Sequence, residues 1–235
     1  MVHGSIFFKA YDRTKQRVWR IFGSKLYKER TVFLANFLSQ LDKELNFSGR
    51  ISSSENYLLD IGCGTGELTQ KTSEIFHINA IGVGLDRWFG TQSESCFLIA
   101  DGCMLPFRPK TFVLTSAYSL VEHVHIKCRQ LFYEEVSRVL EDNGLFIIQL
   151  PNRYFPIEQH SFLPFVGYLP ARLHSLFFYS YVSVPSKEEV VKELTRSGFI
   201  IILIATYGIP FLNLFQRKLL SKMFPFGFII VARRK

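Results

Sequence analysis

Asp60-Ile61-Gly62-Cys63-Gly64-Thr65-Gly66 sets one carboxyl group ahead of three glycines at alternate positions. Glycines so spaced let a backbone turn sharply and approach a ligand with no Cβ in between. The run Tyr57 to Ile61 has the length and composition of a buried strand, and Glu67 to Phe76 reads as a helix. A strand, a glycine loop and a helix in that order make a nucleotide-type site, and spacing decides which type. A dinucleotide fingerprint has its third glycine where Glu67 stands, at the helix end that receives a pyrophosphate. A carboxylate there repels phosphate, and the Gly-Lys-Ser/Thr ending of a P-loop is also missing. Asp60, where the strand hands over to the loop, suits a ligand that carries positive charge.

Further acidic residues stand at the ends of the next predicted strands. Asp86 falls twenty residues after Gly66, at the end of a strand over Ala80 to Leu85, where a carboxylate can accept both ribose hydroxyls. A third strand, Cys96 to Ala100, ends at Asp101 in Ile99-Ala100-Asp101-Gly102-Cys103-Met104-Leu105-Pro106-Phe107. A fourth, Phe112 to Tyr118, runs into Ser119-Leu120-Val121-Glu122-His123-Val124.

These segments together resemble the class I S-adenosylmethionine-dependent methyltransferases, in particular their type 11-like group. Asp60-x-Gly62-x-Gly64-x-Gly66 is similar to motif I of that family, and 99–107 to its Ala-Asp…Leu-Pro-Phe segment. The resemblance spans about Tyr57 to Leu150, weakens beyond, and is absent over the first fifty residues. It implies S-adenosyl-L-methionine as cofactor. The residues it assigns to the cofactor are Asp60, Gly62, Cys63, Gly64 and Gly66 of the loop, then Asp86 and Arg87. Asp101, Gly102, Cys103 and Ser119 complete them. Asp101 would accept from the adenine amine, the Cys103 backbone N–H would reach a ring nitrogen, and Met104 would wall the ring. The missing Asn/Asp-Pro-Pro-Tyr after the fourth strand argues against adenine or glutamine N-methylation of the kind that uses it.

The acceptor side is expected after a fifth strand, Leu145 to Leu150, which follows an Asn143-Gly144 turn. There Pro151-Asn152-Arg153-Tyr154-Phe155-Pro156-Ile157-Glu158-Gln159-His160 begins a proline-stiffened insertion of about 151–185. Glu158 and His160 are titratable groups among apolar ones. His160 could take a proton from an attacking hydroxyl, with Glu158 orienting it or acting instead. The plainer alternative is that both pin the insertion by hydrogen bonds. His123 reads as structural or substrate-facing. His123 and His125 alternate as metal ligands can, yet no further spacing completes a set, so no metal is expected.

With 235 residues, 48% hydrophobic and 20% charged, the chain should fold as one α/β domain with a full core. Alternating segments predict a Rossmann-like seven-stranded sheet, mostly parallel with an antiparallel last strand, and helices on both faces. A helix over Ser186 to Ser197 and strands over Phe199 to Ala205 and Gly227 to Ala232 complete it. The uncharged stretch Ser197 to Gln216 reads as a buried strand with a turn rather than a membrane span, which needs about 20 apolar residues. Residues 1–50 read as a basic helical extension or lid on the 51–235 domain, with an apolar face from Thr31 to Leu45.

Four cysteines without paired or metal-type spacing, and no uninterrupted apolar stretch at the N-terminus, suggest a cytoplasmic protein. Aromatic and apolar residues around Phe162–Tyr181 suggest an apolar small-molecule or lipid-linked acceptor, methylated on oxygen. The basic Arg217, Lys218, Lys222, Arg233, Arg234 and Lys235 suggest contact with anionic groups, so peripheral membrane contact is expected. RNA or protein is the alternative acceptor. The rivals of another kind are a silent methyltransferase-like binding protein and, disfavoured by Glu67, a nicotinamide oxidoreductase.

Overall fold

The computed structural model describes residues 24–50, 56–85, 96–170, 182–208 and 224–235. The chain begins there with helices α1 (Ser24–Leu45) and α2 (Phe47–Arg50), then β1 (Tyr57–Ile61), α3 (Glu67–Phe76) and β2 (Asn79–Gly84). It continues with β3 (Cys96–Ile99), β4 (Phe112–Tyr118), α4 (Arg129–Val139) and β5 (Leu140–Pro151), and ends with α5 (Lys187–Arg196), β6 (Phe199–Tyr207) and β7 (Gly227–Arg234). The seven strands form one sheet in the order β3-β2-β1-β4-β5-β7-β6. All pairings are parallel except those of β7, which runs antiparallel to both β5 and β6.

Alternation along the strands divides the core into two layers. Leu59, Phe146, Ile148 and Ile230 face α4 and α5, packing with Phe132, Val136, Val190 and Leu194. Their neighbours Leu58, Ile147 and Ile229 face the other way, packing with Leu68 and Phe76 of α3 and with Leu34, Leu38 and Leu41 of α1. The N-terminal helix is therefore a layer of the core. Each leucine it buries is worth about 1.5–3 kcal/mol. α5 is closed by a capping box, in which Ser186 Oγ accepts from Glu189 N–H and the Glu189 carboxylate from Ser186 N–H.

Two elements differ from expectation. The Asn143-Gly144 turn does not precede β5 but lies inside it. Leu140, the C-cap of α4, is already extended and pairs with Phe112, while Leu145 pairs with Leu114. The residues between form a bulge, with Asn143 at φ 66°. The apolar run after Gly198 is also not a buried strand. β6 is the sheet's last strand, and Ile200, Ile202 and Ile204 on its outer face are 42%, 38% and 37% exposed. An apolar run on an edge strand cannot be told from a central one by composition. Among the described residues no helix is long and apolar enough to cross a membrane.

Candidate active site at the carboxyl ends of the strands

β1 ends at Ile61 and the glycine loop folds back on β2, with Gly62 and Cys63 N–H both donating to Val83 O (2.7 and 3.2 Å). Gly62, Gly64 and Gly66 have φ of 74°, 54° and 77°, in the left-handed region that glycine enters without cost. A Cβ on Gly62 would sit 2.7 Å from Leu120 Cδ1, while one on Gly64 would meet nothing within 4 Å. The first glycine thus lets the β4 loop pack down, and the second faces open space.

Asp60 lies beneath this loop, 1% exposed. Its carboxylate accepts from Thr69 Oγ1 (2.5 Å) on α3 and from Ser116 Oγ (2.7 Å) on β4. Burial pushes its carboxyl up to about 6, against the two hydroxyls, which hold it down. Asp60 therefore ties three elements together from behind the loop, and any pull on a bound cation acts through the backbone.

A cavity of about 250 Å³ opens in front of the loop. Ile61, Gly62, Val83, Gly84, Asp101, Gly102, Cys103, Leu120 and His123 line it, so four successive strand ends contribute. Among the described residues no lysine or arginine lines it, and its apolar walls with the Asp101 carboxylate fit an uncharged nucleoside end. Asp101 Oδ1 accepts the Cys103 N–H at 2.9 Å, so in this conformation that N–H is already engaged. Met104 is not a wall of the cavity; it is 75% exposed. Arg138 and Glu135 of α4 pin the following segment by bonds to Leu105 and Phe107 backbone. Asp86 and Arg87 lie outside the described residues.

Ser119, in the left-handed region at φ 51°, leaves β4 toward α1. Its hydroxyl receives Arg30 Nη1 at 2.6 Å and donates to Gln149 Oε1 at 2.9 Å, and Gln149 Nε2 donates to Tyr207 OH at 2.5 Å. Tyr27, under the Arg30 guanidinium at 5.1 Å, has its hydroxyl 3.5 Å from Thr65 Oγ1 of the glycine loop. This relay joins α1 to the site. Arg30 was one basic residue among many in the sequence, and only its pairing with Ser119, 89 positions away, marks it out. Arg30→Met should lower unfolding free energy by about 1.5–3 kcal/mol, the value of a hydrogen bond from a charged group. Urea denaturation measures it, and an unchanged midpoint would show that the relay does not support the fold.

The insertion after β5 is a small hairpin, bridged at Ile157 and Pro164 and anchored where Gln159 Nε2 donates to Phe226 O (2.6 Å). It carries Glu158 and His160 back to the end of β4. His160 Nδ1 is 2.7 Å from Glu158 Oε1, and the backbone N–H groups of His160 and Ser161 donate to Glu158 Oε2 (2.9 and 2.5 Å). Burial pushes Glu158 up, but the His160 bond and charge and these N–H groups outweigh it, leaving its carboxyl below the ordinary value. The His160 ring packs edge-on against His123 with centroids 5.3 Å apart, and its Nε2 is 4.0 Å from Glu122 Oε1. His123, Glu158 and His160 thus meet, and buried Glu122 joins them. Sequence reasoning missed Glu122, whose one signal was its position beside His123.

Residues 59–148 match the family model described as a methyltransferase domain. The chain is 33% identical over 104 residues to the uncharacterized protein MJ1252 of Methanocaldococcus jannaschii, covering 42% of this chain and 38% of that one. It is 29% identical over 104 residues to sphingolipid C9-methyltransferase 2 of Gibberella zeae, covering 39% of this chain and 20% of that one. The alignments therefore span well under half of either relative. In fold it is similar to an S-adenosylmethionine-dependent methyltransferase from Mesorhizobium loti, with a TM-score of 0.59 at 16% identity over 80% of this chain and 95% of that one. Sheet order, the glycine loop in front of the cavity and the match over residues 59–148 agree: the chain has the fold of the S-adenosylmethionine-dependent methyltransferases, and the part that builds the loop and the first five strands matches a methyltransferase domain.

Proposed function

We propose that the chain is a class I S-adenosylmethionine-dependent methyltransferase that uses S-adenosylmethionine as its cofactor and methylates an oxygen of an apolar, small-molecule or lipid-linked acceptor entering over the insertion. The observation that carries this reading is the contrast at the insertion. Tyr154, Ile157, Phe165 and Tyr168 are 45%, 49%, 63% and 52% exposed around a polar cluster of Glu122, His123, Glu158 and His160. Exposed aromatic and aliphatic groups around buried polar ones suit a ligand with an apolar body and one reacting polar group. The sphingolipid methyltransferase name of one relative supports a lipid class. The exposed Arg233 and Lys235 at the end of β7 suit anionic headgroups, so peripheral contact with the cytoplasmic membrane surface is part of the proposal.

The cofactor supplies an electrophilic methyl carbon on a positively charged sulfur. The chain's residues have to align the acceptor, exclude water and handle the acceptor's proton. His160 is placed for that last task, because Glu158 holds its Nδ1 side and leaves Nε2 toward the cavity wall at His123.

Calorimetry with S-adenosylhomocysteine, followed by transfer of labelled methyl to lipid, RNA and protein fractions, tests the reading. Label in the lipid fraction is expected. Label confined to RNA or protein would overturn the acceptor class, and no cofactor binding at millimolar concentration would overturn the activity. His160→Ala is expected to slow transfer by roughly 10²–10⁴-fold, the range of a lost proton-handling group. Cofactor affinity should stay within about twofold, since His160 does not line the cavity.

A further inference from the structure

Glu122, His123 and His160 each bring one donor atom to a common point, and these three atoms lie within 4.8 Å of one another. Glu122 is the group that needs explaining. It is 1% exposed, and its Oε2 has no hydrogen-bond partner. Among the described residues its nearest ion-pair partner is His160 Nε2 at 4.0 Å, beyond hydrogen-bonding distance. Burial pushes its carboxyl up, and the charges of His160, Arg30 and Arg129 only partly hold it down. A buried carboxylate left so is costly unless a cation meets it.

His160 is prepared from its other side. Glu158 is held as a carboxylate by two backbone N–H groups and takes the Nδ1 side of the ring at 2.7 Å. An imidazole that donates Nδ1–H to a carboxylate presents a lone pair at Nε2, and metal-binding histidines are supported in this way. Glu122 and His123 sit together on one tight turn, Val121–His123, which presents both to the insertion.

We propose that Glu122, His123 and His160 bind one divalent first-row transition ion of the zinc class, with Glu158 as the supporting carboxylate. Two imidazole nitrogens and one carboxylate oxygen suit Zn²⁺ and its Co²⁺ analogue, whereas Mg²⁺ and Ca²⁺ take oxygen donors. Tetrahedral bonds of about 2.1 Å space their ligands by roughly 3.4 Å. Binding therefore requires side-chain rotations that close the 4.0 Å gap between His160 and Glu122 and draw together donors now within 4.8 Å of one another. Three protein ligands leave a fourth position open, as in zinc sites that bind a reacting group. His123 lines the cavity, so that position opens beside the cofactor's place. An acceptor oxygen would fill it and give up its proton more readily on the ion, so with the ion bound His160 serves as a ligand and not as the base. For that occupant alone the inference rests on the methyl-transfer reading. Spacing along the chain hid the set, because the third ligand comes from the insertion.

The purified 235-residue chain, stripped with EDTA and dialysed, is titrated with Zn²⁺ by calorimetry and with Co²⁺ by visible absorption. One equivalent of either ion should bind. His123→Ala, His160→Ala and Glu122→Gln should each abolish stoichiometric binding, and Glu158→Gln should weaken it by about 10–100-fold. His77→Asn, at an exposed histidine on the C-cap of α3, should bind as the parent does. If Glu122→Gln fails to fold, His123→Ala, at the exposed member of the cluster, decides the matter. No saturable binding of either ion to the parent chain would overturn the proposal. So would stoichiometric binding that survives in both histidine variants. S-adenosylhomocysteine binding on the same samples separates the two failures. Cofactor binding without ion binding removes the metal and leaves the methyltransferase reading intact, while ion binding without cofactor binding does the reverse.

Discussion

Gly167→Ala is expected to reduce methyl transfer by about 10²-fold or more while leaving cofactor binding within about twofold. A Cβ at Gly167 would lie 1.8 Å from the Arg153 carbonyl oxygen, which is backbone and cannot rotate aside. Arg153 also donates through Nε to Gly167 O (2.9 Å) and through Nη2 to Leu169 O (3.3 Å), so this point closes the insertion on itself. Forcing the two strands of chain apart moves Glu158 and His160, which lie between the closing residues, and a displacement near 1 Å suffices for a loss of that size. No described residue of the insertion lines the cavity, so the cofactor site should not follow. Calorimetry with S-adenosylhomocysteine and a transfer assay on one sample make the comparison. A variant that loses both together would mean that the insertion is part of the cofactor site.

Asp60→Asn is expected to remove a pH dependence of stability rather than to unfold the chain. The Asp60 carboxyl is held up at about 6 in the folded chain, against an ordinary 3.8, chiefly by burial. Between those two values the folded chain binds more protons than the unfolded one, so stability falls as pH rises from about 4 to about 6 and levels off above. The two-unit difference corresponds to roughly 3 kcal/mol. Asparagine is nearly the same size; its Oδ1 can still accept one of the Thr69 and Ser116 hydroxyls and its Nδ2 can donate to the other once that hydroxyl turns, but it cannot ionise. Urea denaturation between pH 4 and 8 should give a difference between the two proteins that grows with pH and favours the variant above pH about 6. Subtracting one curve from the other cancels the histidines, which titrate in the same range. Parallel curves would mean that Asp60 does not carry the raised carboxyl.

The parts of the fold that could be read along the chain are those set by short-range patterns. β1, α3 and β4 fall at the residues expected, because β1 and β4 are apolar runs that end at a glycine loop or a turn and α3 starts on the acid that follows the third glycine. The helix before β6 was legible for the same local reason, its serine cap and the acids that follow it. Asn143-Gly144 misled because the dipeptide specifies a local left-handed turn, and a bulge uses that turn as well as a loop does. Ile200, Ile202 and Ile204 misled because composition does not report how many neighbours a strand has.

The site divides along the same line. Asp60 to Gly66 and Asp101 to Phe107 are contiguous, and their residue types constrain the backbone and the charge a cofactor would meet, so they could be read directly. That Asp60 turns inward to Thr69 and Ser116 could not, since a carboxylate at a strand end serves a ligand or the core equally well. Arg30 with Ser119, and Glu122 and His123 with His160, are contacts across 89 and about 37 positions, made by packing α1 and the insertion onto the end of β4. Along the chain alone, glycine spacing and strand-end acids fix the loop and the strand ends that the proposed cofactor would meet, because they act locally. Which groups gather at the insertion is set only by the tertiary structure, because Glu122, His123, Glu158 and His160 become neighbours only when the insertion folds over the end of β4.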